Sequence, residues 1–327
     1  MGATTRDLSG ARVFVTGATG LIGSSLVHAL LSRGALVDAF VIPRPEPASM
    51  LARSGDIERV RVHVGHLEDR TSVEAAIASA APDVVFHLGA QTLVGDARAD
   101  PVRTFEVNIA GTWAVLEACR RFVTPSAVAI ASSDKAYGSS ARLPYVETNT
   151  LAGTEPYEAS KAVTDMLAQT YAIAYGLPVR IARCGNVYGR GDFNWSRIVP
   201  GTIRSVLAGE RPVLRSDGTP VRDYVSVDDI VSAYLALVEH DIAPGEAFNF
   251  SSGERLTVLD VVRLINNAVE ANLEPVILGT AVGEIAEQYL DSSKAQRALG
   301  WTAQRRLAES LPPIVAWYRD LLKSDRS

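Results

Sequence analysis

Short apolar runs alternate with longer segments that are apolar at helical spacing through the first half of the chain. The short runs predict buried strands at residues 12–16, 35–42, 60–64, 83–88, 127–131 and 179–183. The longer segments predict helices at residues 24–33, 71–80, 105–122 and 156–175. This alternation is typical of an α/β protein in which a doubly wound parallel sheet carries helices on both faces.

The second half of the chain has a less regular pattern. Near residue 185, glycine, asparagine, aspartate and tryptophan become frequent, as in the loops that surround binding sites. Beyond these loops the pattern predicts a helix that ends at residue 208 and a short strand at 212–215. It also predicts helices at 227–239, 257–270 and 307–322. We therefore expect a smaller C-terminal domain after the first one.

A glycine-rich turn follows the first predicted strand. Glycines at this spacing permit a tight turn and a close approach of the backbone to a pyrophosphate, and the N-terminus of the next helix offers free amides. A structural turn is the alternative interpretation. Its position between a strand and a helix predicts a Rossmann-type domain in which the turn binds a dinucleotide, through Gly17, Thr19, Gly20, Leu21, Ile22 and Gly23.

The end of the second predicted strand leaves the choice between NAD and NADP open. A carboxylate at this point would bind the adenosine ribose of NAD, but Asp38 comes too early in the strand. Arg44 could instead face the 2′-phosphate of NADP, and it could equally be a loop arginine in solvent. The expected cofactor is NAD or NADP, with NAD slightly favoured.

Composition narrows the class of protein. A length of 327 residues suggests two domains of about 150 residues each, and 47% hydrophobic residues suffice for a large core. The net charge of −5 argues against a nucleic-acid partner. Cys119 and Cys184 have no metal-site or disulfide spacing and are expected to be buried. Without a signal sequence or a bilayer-spanning run, we expect a cytoplasmic protein with no membrane partner and no metal.

Tyr157 and Lys161 lie one turn apart on the same face of a predicted helix. A phenol titrates near pH ~10, and a neighbouring ammonium would lower its pKa, which makes Tyr157 a candidate general base. Such pairs are common on helix surfaces. The segment Ser133-Asp134-Lys135 at the end of a predicted strand strengthens the interpretation, although Asp134 and Lys135 could also form a solvated turn.

Together, the glycine turn, the stretch from His87 to Gln91, Ser133 and the Tyr157/Lys161 pair resemble the extended short-chain dehydrogenase/reductase family. That family contains nucleotide-sugar epimerases, dehydratases and decarboxylases, and the likeness runs from residue 12 to 301. It implies a dinucleotide-binding domain of residues 1–185, to which 226–243 returns, and an interleaved nucleotide-sugar domain of residues 186–327. It also implies a homodimer that forms through the helices near 104–120 and 156–175.

The resemblance also assigns individual positions. Beyond the glycine turn it implies cofactor contacts at His66, Leu67, Leu88, Ala90, Gln91, Asn108, Tyr157 and Lys161. It implies contacts with a nucleotide-diphosphate sugar at Thr92, Asn186, Arg197, Ile198, Val199, Arg215, Arg222 and Tyr289. Arg197 and Arg222 would bind the diphosphate, for which the planar arginine fork is suited.

Within the family, Asp134-Lys135 resembles the CDP-glucose 4,6-dehydratases. Dehydratases of deoxyribonucleotide-linked glucose carry Asp-Glu there, and simple 4-epimerases carry small uncharged residues. The stretches 91–94 and 185–192 are similar to the CDP-glucose branch, whereas Tyr188 and the segment 222–224 look more like epimerases. The family's usual acidic residue is missing at the position of His66.

The resemblance therefore implies a nucleotide-hexose 4,6-dehydratase that most resembles the CDP-glucose enzymes. Ser133 and Tyr157 would act at the 4-hydroxyl, Asp134 would protonate the departing 6-hydroxyl, and Lys135 would be the base at carbon 5 or a cation that stabilises the enolate. The alternatives are a 4-epimerase or decarboxylase of the same family and, more distantly, a dinucleotide-binding module without catalysis.

Overall fold

The computed structural model describes residues 6–43, 49–140, 142–281 and 283–324. The strands are β1 (Arg12–Thr16), β2 (Leu36–Val41), β3 (Arg61–Val64), β4 (Val84–His87), β5 (Ala127–Ala131), β6 (Val179–Cys184), β7 (Asn186–Tyr188), β8 (Val213–Leu214), β9 (Val221–Arg222), β10 (Tyr224–Ser226), β11 (Ala247–Phe250), β12 (Leu256–Thr257), β13 (Val276–Ile277) and β14 (Glu287–Gln288). The helices are α1 (Leu21–Ser32), α2 (Met50–Arg53), α3 (Arg70–Ala80), α4 (Val94–Ala99), α5 (Pro101–Phe105), α6 (Gly111–Phe122), α7 (Pro156–Tyr175), α8 (Ile198–Leu207), α9 (Val227–Glu239), α10 (Val258–Val269), α11 (Ser293–Leu299) and α12 (Leu307–Ser324).

Seven strands form one parallel sheet in the order β11-β6-β5-β4-β1-β2-β3. Its central strands are buried on both faces, which explains why they read as continuous apolar runs and not as alternating ones. The strand order reverses between β1 and β4, and in such sheets ligands bind beyond the carboxyl ends of the strands at this point. The doubly wound α/β sheet predicted from the sequence is confirmed.

Helices cover both faces of this sheet. One core contains α1 and α9 and includes Leu26, Val27 and Tyr234, while the opposite core contains α3, α6 and α7. Cys184 lies in the first core and Cys119 in the second, and both are buried, as expected. Strand β11, which pairs with β6 at the sheet edge, was not predicted, because four residues after a turn carry little periodic signal.

A smaller lobe lies over the carboxyl edge of the sheet. Its short strands pair as β12-β9-β14, β13-β8 and β10-β7. Helices α8, α10 and α12 surround its core, which includes Ile203, Val261 and Leu311. None of the helices among the described residues has the length and apolar character needed to cross a bilayer.

One predicted helix is divided in the structure. In place of a helix over 105–122, the chain forms α5, a π-helical turn at Glu106–Ala110, and then α6. Asp100 caps α5 by accepting from the backbone N–H of Arg103, and Pro101 occupies the first turn. Asn108 lies within the π turn and is buried, a location in keeping with the frequent use of such turns near functional sites.

Candidate active site

A cleft of about 1190 Å³ separates the carboxyl edge of the large sheet from the smaller lobe. Most of the predicted site residues line it. Those from the sheet side are Gly17, Thr19, Gly20, Leu21, Ile22, Gly23, His66, Leu67, Leu88, Ala90, Thr92, Ser133, Asp134, Lys135, Tyr157 and Lys161. Those from the smaller lobe are Asn186, Arg197, Ile198, Val199, Arg215 and Arg222.

The glycine turn has the shape that a pyrophosphate requires. Gly17 adopts φ +68°, and a Cβ at this residue would lie 2.7 Å from the backbone nitrogen of Gly89. A Cβ at Gly23 would collide with the carbonyl oxygen of Gly17. Helix α1 begins at Leu21 with no side chain capping its N-terminus, which leaves backbone amides for an anion. The turn therefore fits a dinucleotide.

The end of β2 offers no carboxylate to a ribose. Asp38 lies inside the strand, where it is buried and accepts a hydrogen bond from Arg61; Nε2 of His63 lies 2.6 Å from the same Asp38 oxygen. Phe40, Val41 and Ile42 line the cleft here. Arg44, the predicted contact of a 2′-phosphate, lies outside the described residues.

Ser133 and Tyr157 are brought together by two different elements. Ser133 follows β5 and caps a 3₁₀ turn at Asp134–Tyr137, where its Oγ accepts from the backbone N–H of Lys135 at 3.2 Å. Tyr157 lies in the first turn of α7, which begins with a proline and a capping box between Glu155 and Glu158. Both residues line the cleft, and Ser133 lies close enough to the Tyr157 hydroxyl to influence its pKa.

The pKa of Tyr157 is displaced in the opposite direction to the one expected. Burial, with the charge of Asp134 adding to it, raises the pKa of the Tyr157 phenol to about 12. Lys161 does not offset this, because its Nζ donates to the carbonyl oxygen of Ala131 at 2.8 Å and burial lowers its pKa to about 8. The nearby hydroxyl of Ser133 and the charge of Arg197 are the influences that favour the phenolate.

Asp134 and Lys135 do not form the solvated turn of the alternative interpretation. Asp134 is 2% exposed; one of its oxygens accepts from Ser133 Oγ at 3.0 Å, and the other has no hydrogen-bond partner. Burial raises the pKa of Asp134 and lowers the pKa of Lys135. Nζ of Lys135 donates to the side-chain oxygen of Gln288 and not to Asp134. Burial thus favours the neutral form of each side chain, while the attraction between the two favours the charged forms.

Two arginines reach the cleft from the smaller lobe. Nη1 of Arg197 lies 3.1 Å from both carboxylate oxygens of Asp192, and Nη2 donates to Thr92 Oγ1 at 3.2 Å. Arg222 is buried and donates to Glu284 at 3.2 Å. Both guanidinium groups are held beside the cleft, Arg197 near Tyr157 and Arg222 near Asp134 and Lys135.

Three predicted contacts do not line the cleft. Asn108 donates to the carbonyl oxygen of Gln91 at 2.9 Å and accepts from its backbone N–H at 2.7 Å, so this pair braces the loop after β4. Asn108 also donates to Ser160 Oγ and ties the loop to α7. The ring of Tyr289 lies beneath the guanidinium of Arg255, 4.0 Å from its centre. Asn108 and Gln91 thus hold the loop after β4 in place beside the cleft, and the contacts predicted for these two residues and for Tyr289 stay predictions.

The sequence analysis missed Gln288, which is fully buried and contacts Asp134 and Lys135. No local pattern marks it, since its partners lie in a distant part of the chain. Glu158 was also missed, although its position three residues after Glu155 at a helix start is a recognisable capping signal.

Comparison with known proteins agrees with this geometry. A model of the NAD dependent epimerase/dehydratase family matches residues 13–251. A dTDP-glucose 4,6-dehydratase of Streptomyces antibioticus is 33% identical over 94% of this chain and 92% of its own length. A CDP-glucose 4,6-dehydratase of Salmonella typhimurium is 28% identical over 97% and 92%.

Solved structures give the same grouping. The UDP-glucose 4-epimerase of Thermotoga maritima with UDP-glucose has a TM-score of 0.87 at 29% identity, covering 95% of this chain and 99% of that one. A double mutant of DesIV, a dTDP-glucose 4,6-dehydratase from Streptomyces venezuelae with NAD bound, has a TM-score of 0.86 at 27% identity, covering 94% and 97%. The chain therefore belongs to the NAD-dependent epimerase/dehydratase family of enzymes.

Proposed function

We propose that this enzyme is a nucleotide-hexose 4,6-dehydratase that converts CDP-glucose to CDP-4-keto-6-deoxyglucose. The observation that carries the proposal is the pair Asp134 and Lys135, held beside Ser133 with a raised and a lowered pKa respectively. Loss of water from a sugar needs an acid for the departing oxygen and a base for the neighbouring carbon. An epimerase needs neither at carbon 6.

NAD fits the sheet side of the cleft. The amides of the glycine turn would hold its pyrophosphate, and His66, Leu67 and Leu88 line the cleft on either side of that turn. When bound, NAD supplies the hydride chemistry of the reaction, removal from carbon 4 of the hexose and return to carbon 6.

Tyr157 and Ser133 handle the proton of the 4-hydroxyl. Their proximity allows Tyr157 to take this proton directly or through the serine. A phenol with a raised pKa is a strong base once ionised but is rarely ionised at neutral pH. The nearby guanidinium of Arg197 is the cation of this chain that favours the phenolate.

Asp134 and Lys135 carry out the elimination. A ketone at carbon 4 acidifies the proton on carbon 5, and the neutral amine of Lys135 removes it. The electrons of that C–H bond form the double bond between carbons 5 and 6, while the C–O bond at carbon 6 breaks. In protonated Asp134, the oxygen that has no hydrogen-bond partner gives its proton to the departing hydroxyl, which leaves as water. In the alternative role, Lys135 stays protonated and stabilises the enolate.

The choice of nucleotide and sugar rests on resemblance. The Asp-Lys pair is similar to the CDP-glucose branch, and a relative of that name aligns with nearly the whole chain. Relatives of higher identity include dTDP-glucose enzymes and a UDP-glucose 4-epimerase. The competing function is a 4-epimerase, which the likeness to UDP-glucose 4-epimerases supports, because Tyr157 and Ser133 suffice for that reaction.

A product assay decides between these functions. The purified enzyme is incubated with CDP-, UDP-, dTDP- and GDP-hexoses, with NAD or NADP added, and the products are analysed by mass spectrometry. Loss of one water from CDP-glucose without net reduction of the cofactor is expected, and Tyr157→Phe should abolish it. Water loss from another nucleotide alone would correct the substrate. An unchanged mass with a new stereoisomer in the NMR spectrum would contradict the dehydratase.

A further inference from the structure

Gln288 connects the smaller lobe to the reacting cluster, which consists of Ser133, Asp134, Lys135 and Tyr157. It lies on β14, which pairs with β9 in parallel, so that Gln288 stands opposite Arg222. Its side chain is 0% exposed. Burying a primary amide is costly unless its donor and acceptor are both satisfied, and here both partners lie in the 3₁₀ turn that follows Ser133.

The two hydrogen bonds of Gln288 fix its orientation. Its Oε1 accepts from Nζ of Lys135, and its Nε2 donates to the backbone carbonyl oxygen of Asp134 at 3.0 Å. The backbone carbonyl oxygen of Asp134 can only accept, so turning the amide around would set two carbonyl oxygens against each other and lose that bond. The side chain of Gln288 thus contacts both the proposed base, through Nζ of Lys135, and the backbone of the proposed acid, Asp134.

The charges around Lys135 explain why it matters that its hydrogen-bond acceptor, the amide of Gln288, is uncharged. Asp134 in the same turn, Glu158 at the start of α7 and Glu284 in the smaller lobe all favour its ammonium form, whereas Arg222 and burial oppose it. A carboxylate bonded to Nζ would hold the proton on Lys135. The amide of Gln288 satisfies one N–H of Lys135 without adding that charge.

We propose that Gln288 is a positioning residue for the elimination: its amide fixes Nζ of Lys135 to β14 and keeps it from pairing with the carboxylate of Asp134. Without this bond, the side chains of Asp134 and Lys135 would be free to form an ion pair, which is the wrong protonation state for both. The inference rests on the proposed function, in which Lys135 acts as the base.

The small number of lysines allows a direct test on the intact enzyme. The sequence contains only Lys135, Lys161, Lys294 and Lys323, so a protein labelled with 13C at lysine Cε gives few NMR resonances, and each can be assigned by substitution. The pKa of every lysine is then measured in wild type, Gln288→Glu and Gln288→Met. Gln296→Glu, on the exposed surface of α11, is the matched charge control.

Gln288→Glu should raise the pKa of Lys135 by at least about one unit, a tenfold loss of neutral amine at a given pH. Gln288→Met removes the acceptor at similar size and leaves Lys135 free to pair with the carboxylate of Asp134, so it should also raise the pKa of Lys135. Lys161 and the Gln296→Glu protein should keep wild-type values. In turnover assays, the water-loss rate should rise at a higher pH in Gln288→Glu than in wild type, because the reaction needs neutral Lys135.

Two results would overturn the role of Gln288. One is a Lys135 titration that is the same in all variants. The other is a shift of Lys161 as large as that of Lys135, which would mean that Gln288 only supports packing. Failure of the wild-type enzyme to remove water from any nucleotide hexose contradicts the proposed function separately, because the titration of Lys135 does not require turnover.

Discussion

Burial acts on three titratable side chains at the reacting cluster, and it favours the neutral form of each. It raises the pKa of Asp134 and of Tyr157 and lowers the pKa of Lys135. A cluster of neutral groups can exchange protons with a neutral sugar without creating isolated charge. The cations that offset any charge formed during reaction are supplied from the smaller lobe by Arg197 and Arg222.

Replacing Asp134 by asparagine tests its role as the acid. Asparagine retains an oxygen that can accept from Ser133 but has no proton to give. Water loss should fall by about 100-fold or more. In wild type, the water-loss rate should fall as pH rises through the raised pKa of Asp134. The residual rate of Asp134→Asn should not show this decline with rising pH. Mass spectrometry of the product at several pH values measures both.

Solvent deuterium provides the control for that experiment. Exchange of the proton at carbon 5 depends on Lys135 and should persist in Asp134→Asn. A variant that eliminates water within about threefold of the wild-type rate would show that another group is the acid, since a true acid contributes at least about 100-fold.

His87 gives a second prediction at this scale, for stability. It is buried at the end of β4 between the hydroxyls of Thr16, at 2.8 Å, and Thr112, at 3.0 Å. Burial lowers its pKa to about 3. The unfolded chain binds a proton near pH ~6.5 and the native protein does not, so stability is full above that pH and declines as pH falls toward 3, by about 1.4 kcal/mol per unit.

Urea unfolding near neutral pH and near pH ~5 measures this effect. His87→Gln retains polar atoms for the two threonines but cannot titrate. Between the two conditions the wild type should lose about 2 kcal/mol more than the variant. Equal losses would mean that His87 is protonated in the native state.

At the scale of elements, a buried ion pair holds the Tyr157 helix on the sheet. Arg183 of β6 donates to Asp165 of α7 through Nε at 2.8 Å and Nη2 at 2.9 Å, and neither side chain is more than 3% exposed. Arg183 also donates to the hydroxyl of Tyr137, which belongs to the turn that carries Asp134 and Lys135. One guanidinium thus joins three elements beneath the cluster.

Removing one partner of this pair should be strongly destabilising. Asp165→Ala leaves Arg183 as an uncompensated buried charge and should cost about 3–5 kcal/mol of unfolding free energy. Denaturant unfolding measures this loss. The control is Arg33→Gln, which breaks the exposed ion pair with Glu239 and should cost less than about 1 kcal/mol of unfolding free energy. The double variant with Arg183→Met should lose less than the sum of its single changes; a simple sum would contradict the coupling.

The elements that the sequence predicted are those with local signals. Apolar runs, the glycine turn and the proline at the start of α7 locate the sheet and bring Ser133 to Tyr157. The contact of Gln288 with Lys135 joins residues 153 positions apart, and it depends on how β14 pairs with β9, which no local pattern specifies. The pKa of Tyr157 was expected to fall because spacing reveals a nearby lysine, whereas the burial that raises it is a property of the whole fold.

At the scale of the whole molecule, one outer surface remains apolar. Helices α6 and α7 pack side by side, and their outer side chains include Trp113, Met166 and Ile173, the last 82% exposed. Met166 and Ile173 are seven residues apart and lie on the same face of α7. An exposed apolar face built by adjacent helices is typical of a protein interface, and these are the two helices at which the family resemblance implies a homodimer.

We therefore predict that Ile173→Glu separates a homodimer into monomers, because a charge buried at an apolar interface has no partner. Sedimentation equilibrium should give twice the chain mass of 34.9 kDa for the wild type and the single mass for the variant. Ile277→Glu, a comparable change at an exposed isoleucine on β13, is the control and should stay dimeric. A wild-type protein that sediments as a monomer would contradict the prediction, and a dimer unaffected by Ile173→Glu would place the interface on another surface.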